Sequence, residues 1–273
     1  MRLGLIGFGN IATGLLALMR DTGLGLQSLT VLTRPERAGD ALARIAAELS
    51  DLTGDVAVVT ATAELLSSGP DLVVECAGHQ AVSDHVPAIL EAGVDTIVVS
   101  IGALADERLY ERLRRAAIAG GSRIVLPSGA IGGIDFLAAM SAADGLAVTY
   151  RGIKPPRAWA GTAAEKALDL DALCEPATFF SGSAGQAART YPKNANVAAT
   201  LALAGAGFEN TRVELVADPG ATGNRHVWEL KSPLAEARIE IANAPSAGNA
   251  KTSMATVYSV LREVRNRIEP MVI

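Results

Sequence analysis

Six residues near the start of the chain, Gly7-Phe8-Gly9-Asn10-Ile11-Ala12, have the spacing of a phosphate-binding turn. An apolar run, Leu3-Gly4-Leu5-Ile6, precedes them, and a helical pattern runs on from Ile11 to Arg20. In such a strand–turn–helix Gly7 permits the tight turn and Gly9 removes a side chain that would hold the backbone off a pyrophosphate. Ala12 lets the helix lie close to the strand, and the helix N-terminus presents N–H groups to phosphate. Gly7, Gly9, Asn10 and Ile11 are therefore candidate contacts to a dinucleotide. A carboxylate at the end of the second strand would bind the adenine ribose, but the chain reads Val31-Leu32-Thr33-Arg34-Pro35 there. Arg34 suits a 2′-phosphate or the adenine face, which favours NADP or dual use over strict NAD; a solvated loop charge is the competing reading. Cys76, Ala77 and Gly78 end the fourth strand and Ser100 follows the fifth. Both segments fall where ligands bind in doubly wound sheets, and their small residues leave room for ribose and nicotinamide.

Proton chemistry has few candidates. His79 and His85 open a helical stretch, where capping or surface roles suit them. His226 sits in Asn224-Arg225-His226-Val227-Trp228-Glu229-Leu230 at the entry to a strand, with Asn224 and Trp228 on its face. An imidazole suits proton transfer in amine or alcohol oxidation, although the residues alone leave a structural role open. Asn194 and Asn196, in Tyr191-Pro192-Lys193-Asn194-Ala195-Asn196-Val197, open a helix and form a polar cluster able to orient a carboxamide or carboxylate. Lys154 and Lys251 are further candidate cations for an acidic substrate, against the ordinary reading of surface lysines.

These groups need a frame. Strand-like runs at Leu29–Leu32, Val56–Val59, Leu72–Glu75, Thr96–Val99 and Ile124–Leu126 alternate with helical patterns at Arg37–Leu49, Ala81–Ala92 and Asp106–Ala119. Alternation of this kind predicts an α/β fold, a doubly wound parallel Rossmann sheet covered on both faces. The turn-rich stretch 127–133 marks a boundary. Beyond it, strands at Leu146–Ile153, Arg212–Ala217, His226–Lys231 and Ala237–Ile241, with a helix over Asn194–Ala204, predict a smaller α/β substrate domain with a mixed sheet. The last helix, Thr252–Arg267, has apolar residues at helical spacing and is expected to return to the first domain. The expected organisation is thus a dinucleotide-binding domain over 1–127, completed by 245–273, and a substrate and dimerisation domain over 128–244.

Composition narrows the field. The net charge of −5 and the 4% aromatic content give nucleic acid no basic, base-stacking surface. Cys76 and Cys174 are far apart, so buried free thiols are expected rather than a disulfide framework or a metal site. No GxSxG elbow suggests a hydrolase. No leader and no apolar run of about 20 residues is visible, so a cytoplasmic protein without a membrane partner is expected.

Nearly end to end, the chain resembles the L-aspartate dehydrogenase family. The resemblance rests on the turn at 7–12, Ser-Gly-Ala-Ile-Gly-Gly at 128–133, Lys-Pro-Pro at 154–156, Pro-Lys-Asn-Ala-Asn-Val at 192–197, Asp-Pro and Asn-Arg-His within 218–226, and Lys-Thr-Ser-Met at 251–254. It implies NAD- or NADP-dependent oxidative deamination of L-aspartate to iminosuccinate, then oxaloacetate and ammonia. It also implies a homodimer and a product able to feed pyridine nucleotide biosynthesis. It places the active-site histidine on His226 and cofactor contacts on Ala130 and Asn196. On that implied mechanism, Lys193 and Asn194 are the first choices for substrate binding. Rival readings are a two-domain reductase of the homoserine dehydrogenase or dihydrodipicolinate reductase type, and a dinucleotide sensor without turnover.

Overall fold

The computed structural model describes residues 1–49, 51–244 and 253–272, and all of their side chains except that of Lys193. The chain divides into two compact units, one of Met1–Pro127 with Val257–Ile273, the other of Ser128–Thr256.

In the first unit, strands β1 (Arg2–Ile6), β2 (Ser28–Leu32), β3 (Val56–Val59), β4 (Leu72–Glu75), β5 (Thr96–Val98) and β6 (Ile124–Val125) form one sheet in the order β3-β2-β1-β4-β5-β6. Every pairing is parallel. The order reverses at β1 and β4, the switch point where doubly wound sheets bind ligands. Helices α1 (Asn10–Asp21), α2 (Pro35–Glu48), α3 (Thr62–Ser67), α4 (His79–Glu91) and α5 (Glu107–Gly120) make the crossovers. The central strands are buried on both faces, which is why they read as continuous apolar runs. α1 buries Ala12, Leu15, Leu16 and Met19, one stripe at helical spacing.

The second unit carries α6 (Ile134–Met140), β7 (Ala147–Lys154), β8 (Ala177–Ser183), α7 (Ala184–Thr190), α8 (Asn196–Ala204), β9 (Thr211–Ala217), β10 (Arg225–Lys231) and β11 (Glu236–Ala242). The strands order as β11-β10-β7-β9-β8; β7 and β9 run parallel and the other pairs antiparallel. Trp159, Trp228, Tyr150 and Leu201 centre a core shared by one sheet face and the helices. The last helix, α9 (Met254–Arg265), puts Val257, Val260, Leu261 and Val264 into the core of the first unit. There Arg267 pairs with Asp95.

Several elements differ from the sequence reading. α2 begins at Pro35, because proline is well placed in a first helical turn, where its missing N–H has no intrahelical acceptor. The helix expected from Asn194 starts at Asn196, and Asn194 closes a separate 3-10 turn, Pro192–Asn194. The strand β8 was not foreseen: an irregularity between Thr178 and Phe180 breaks its period-two alternation. The short helices α3, α6 and α7 were not foreseen either, being too brief to show a period. Cys174 is exposed rather than buried, and Cys76 is half-buried; both are free thiols. Among the described residues no helix is long and apolar enough to cross a membrane.

Candidate functional site

In the first unit a cleft of about 1060 Å³ opens at the carboxyl ends of β1, β2 and β4. Gly7, Gly9, Arg34, Cys76, Ala77 and Gly78 line it together. Gly7 has φ +87°, and its N–H donates to the Leu32 carbonyl at 2.8 Å. A Cβ added there would lie 2.7 Å from the Ala77 Cβ, so only glycine lets the first and fourth strand ends approach this closely. At Gly9 a Cβ would meet nothing within 4 Å, which leaves open space over the start of α1. Asn10 and Ile11 form that first turn, and among the described residues no side chain caps it. The site therefore suits a pyrophosphate at a helix N-terminus.

A buried carboxylate shapes the opposite lip. Glu75 is fully buried at the end of β4. Its Oε1 accepts N–H bonds from Ala77 and Gly78 at 2.8 Å each and the Ser100 hydroxyl at 3.0 Å. Oε2 accepts the Ser100 N–H at 3.1 Å. Burial raises the Glu75 pKa, and these donors oppose the rise. Ser100 thus bonds Glu75 beneath the loop, and Glu75 ties the turn after β4 to the segment after β5. The sequence reading missed this role, since a glutamate ending an apolar strand gives no sign of its partners. Burial, with Glu75 adding to it, pushes the Cys76 thiol up, so it stays protonated.

The rim beside β2 is basic. Arg34, with its side chain 75% exposed, pairs with Glu36 at 3.4 Å, and Arg37 pairs with Asp40 at 3.6 Å. The Arg44 guanidinium lies 5.4 Å from the centroid of the Phe8 ring. All three arginines line the cleft; only Arg34 was singled out from sequence. His79 and His85 line it too. His85 Nδ1 lies 2.8 Å from the Thr62 hydroxyl and so ties α4 to α3.

In the second unit the antiparallel register of β7 and β10 sets His226 opposite Gly152, and Trp228 opposite Tyr150. Partners in register share a sheet face, so Tyr150, Gly152 and Lys154 line up beside the imidazole. The Tyr150 hydroxyl lies 2.8 Å from His226 Nδ1, with the rings stacked at 18° and 6.0 Å between centroids. Gly152 makes this contact possible, since a Cβ there would lie 2.7 Å from the Tyr150 oxygen. His226 is 4% exposed. Burial, and then the charge of Lys154, lower its pKa to about 3, which keeps the imidazole neutral at ordinary pH. Burial raises the Tyr150 pKa and keeps the phenol protonated.

Lys154, at the end of β7, is half-buried rather than a surface lysine. Its ammonium donates to Asn194 Oδ1 at 2.6 Å and lies 4.9 Å from the centroid of the Trp159 ring. Burial brings its pKa down to about 8. Asn196 is exposed at the first turn of α8, and its carbonyl accepts the Thr200 hydroxyl at 2.9 Å. Ala130 is almost buried, and its carbonyl accepts Asn243 Nδ2 at 3.0 Å. The side chain of Lys193 and the whole of Lys251 lie outside the described residues. The structure therefore brings His226, Lys154 and Asn194 into one cluster and adds Tyr150, which no spacing in the sequence singled out. Among the described residues no group of three or more His, Cys, Asp or Glu could hold a metal ion.

A dinucleotide cleft on a doubly wound sheet, joined in one chain to a mixed-sheet unit carrying a buried imidazole, defines an NAD(P)-dependent oxidoreductase. Comparison with known proteins supports that class. Residues 7–127 match the homoserine dehydrogenase NAD-binding domain model, and residues 135–267 match the C-terminal domain model of aspartate dehydrogenase. The chain is 46% identical over 268 residues to L-aspartate dehydrogenase 2 of Bordetella pertussis, covering 98% of this chain and 97% of that protein. It is 46% identical over 267 residues to L-aspartate dehydrogenase of Ruegeria pomeroyi, covering 98% and 92%. The crystal structure of aspartate dehydrogenase from Thermotoga maritima matches with a TM-score of 0.75 at 29% identity, covering 100% of this chain and 99% of that one. The chain belongs to the L-aspartate dehydrogenase family.

Proposed function

We propose that the protein catalyses the reversible oxidative deamination of L-aspartate. The observation that carries this reading is the buried, neutral His226 held by Tyr150 beside a lysine, in a chain whose relatives are L-aspartate dehydrogenases. When bound, NAD(P)+ supplies the hydride acceptor. The open space over Gly9 and the uncapped first turn of α1 fit its pyrophosphate, with Asn10 and Ile11 in that turn. Cys76, Ala77 and Gly78 border its ribose, and Ser100 steadies that loop through Glu75. Ala130 and Asn196 take the nicotinamide end. The lack of an acid at the end of β2, where Thr33 and Arg34 stand, with Arg34 at the rim, favours acceptance of NADP as well as NAD.

The overall chemistry balances simply. The aspartate ammonium gives up one proton, and Cα gives up a hydride as the C–N bond becomes an iminium, which is iminosuccinate in its protonated form. Water then adds to the iminium carbon and ammonium leaves, giving oxaloacetate. His226 serves the proton steps. With Nδ1 protonated and donating to the Tyr150 oxygen, Nε2 has a free lone pair and accepts a proton from the substrate ammonium or from the attacking water. In the reverse direction the imidazolium so formed, its Nδ1–H still donating to the Tyr150 oxygen, returns the proton from Nε2. Asn194 orients the substrate, and Lys193 is a further cation for its carboxylates.

The protein works as a homodimer in the cytoplasm, and its imine product is available to pyridine nucleotide biosynthesis. The open face of the second sheet suits a second copy, because arginines and glutamates alternate across it. Arg151 pairs with Glu214 at 2.7 Å, and Arg238 with Glu229.

The test is a set of initial rates. L-Aspartate with NAD+ and with NADP+ should be turned over, and oxaloacetate with ammonium should oxidise the reduced cofactors. Turnover of homoserine in place of aspartate, or cofactor binding with no turnover of any amino acid, would overturn the reading.

A further inference from the structure

The Lys154 ammonium is out of place as a purely structural group. It is half-buried, yet among the described residues it has no ion pair. A lysine drawn into a protein interior normally meets a carboxylate, because an uncompensated buried charge is costly. Lys154 instead meets a neutral amide oxygen, Asn194 Oδ1, and the face of Trp159. Both orient an ammonium without neutralising it. Asp218 donates its backbone N–H to the Lys154 carbonyl at 2.9 Å but turns its carboxylate elsewhere. Its Oδ1 accepts the Gly220 N–H at 2.8 Å, and its Oδ2 lies 3.5 Å from Arg225. The strand pairing keeps this bare cation beside the imidazole, since Lys154 lies two residues beyond Gly152, the partner of His226.

We propose that Lys154, aimed by Asn194 and Trp159, is the anchor for a carboxylate of the substrate. This rests on the L-aspartate reading above and deepens it by naming the group that selects an anionic substrate. The anchor has a consequence for proton transfer. In the ligand-free protein the Lys154 charge, together with burial, holds His226 far below its usual range. A carboxylate on Lys154 cancels that charge, so seating the substrate raises the affinity of the imidazole for the proton it must accept. The base is weak in an empty site and gains strength when an acidic substrate arrives.

The arrangement is sensitive to pH. The groups facing Lys154 are His226 on β10, Tyr150 on its own strand, Asn194 and Trp159, with Asp218 and Arg225 paired to each other nearby. His226 is neutral above about pH 3 and the phenol stays protonated, so Lys154, near 8, is the one of these that changes charge between pH 6 and 9. Its protonated form binds the anion, so affinity should be full below about pH 8 and fall above it.

Succinate is a suitable probe, a dicarboxylate with no amino group to oxidise. Its dissociation constant is measured by titration calorimetry on the full chain with saturating NADPH, from pH 6 to 9.5. The expected result is binding that weakens above about pH 8. Lys154→Met should weaken it at least about 10-fold at pH 7, and Lys154→Arg should recover part of the loss. A Lys154→Met protein with an unchanged melting curve and wild-type succinate affinity would overturn the proposal, as would wild-type binding that is flat across this range. Should Lys154→Met fail to fold, the wild-type pH profile decides alone. Because succinate binding needs no turnover, a protein that holds succinate through Lys154 but does not oxidise aspartate would sink the functional reading and leave the anchor standing.

Discussion

The candidate ligand surfaces of the two units are made of different materials. In the first, the cleft is mostly backbone: a turn at Gly7, an uncapped helix start at Asn10, and a loop drawn tight by the buried Glu75 carboxylate. Its rim carries exposed arginines, Arg34 paired with Glu36 and Arg37 with Asp40. In the second, the surface is made of side chains taken out of water, and their proton affinities move with burial: His226 falls to about 3 and Lys154 to about 8. A backbone site binds without choosing among substrates, because N–H groups are the same in every residue. A desolvated cluster can choose, because each group there has a displaced charge state that a correct partner restores.

That contrast can be broken or sharpened by substitution. The largest effect should come from His226→Ala. It should lower kcat roughly 10²–10⁴-fold, the range for loss of an acid–base group, and leave cofactor affinity intact. Equal losses in both would erase the division of labour between the units. Gly7→Ala should do the opposite. It forces a side chain into a positive-φ turn and against Ala77, a strain of about 1–3 kcal/mol. Cofactor binding measured by fluorescence should weaken about 10- to 100-fold. An unchanged dissociation constant would mean the turn does not hold the pyrophosphate. Arg34→Ala should be the mildest. An exposed charge contributes about 0.2–1 kcal/mol. NADPH binding should therefore weaken about two- to five-fold at low salt, with NADH unaffected. Equal change for both cofactors would remove Arg34 from the 2′-phosphate.

The same contrast explains what the sequence disclosed. The first sheet was legible because parallel strands buried on both faces are continuous apolar runs, and the glycine spacing at 7–12 is dictated by backbone geometry that recurs wherever that turn is built. The polar cluster was legible only in pieces. His226, Asn194 and Lys154 stood out as residue types, but their meeting depends on the register between β7 and β10 and on the 3-10 turn at Pro192–Asn194. Register cannot be read from one strand alone. Tyr150 was silent for that reason: in an alternating strand it looks like any core aromatic, and its phenol acquires a role only through Gly152 and His226 across the ladder. Glu75 was silent because four donors from two separate segments converge on it. Cys174 went the other way: its residue type suggests burial, and the loop that carries it is exposed.

The proposed reaction passes the Cα hydride of L-aspartate directly to the nicotinamide. It is tested most directly by following the label from L-aspartate deuterated at C2. The expected result is one deuterium in each reduced cofactor formed, with stoichiometric oxaloacetate and ammonia. Loss of the deuterium to solvent, or its retention in the product while ammonia is released, would contradict it.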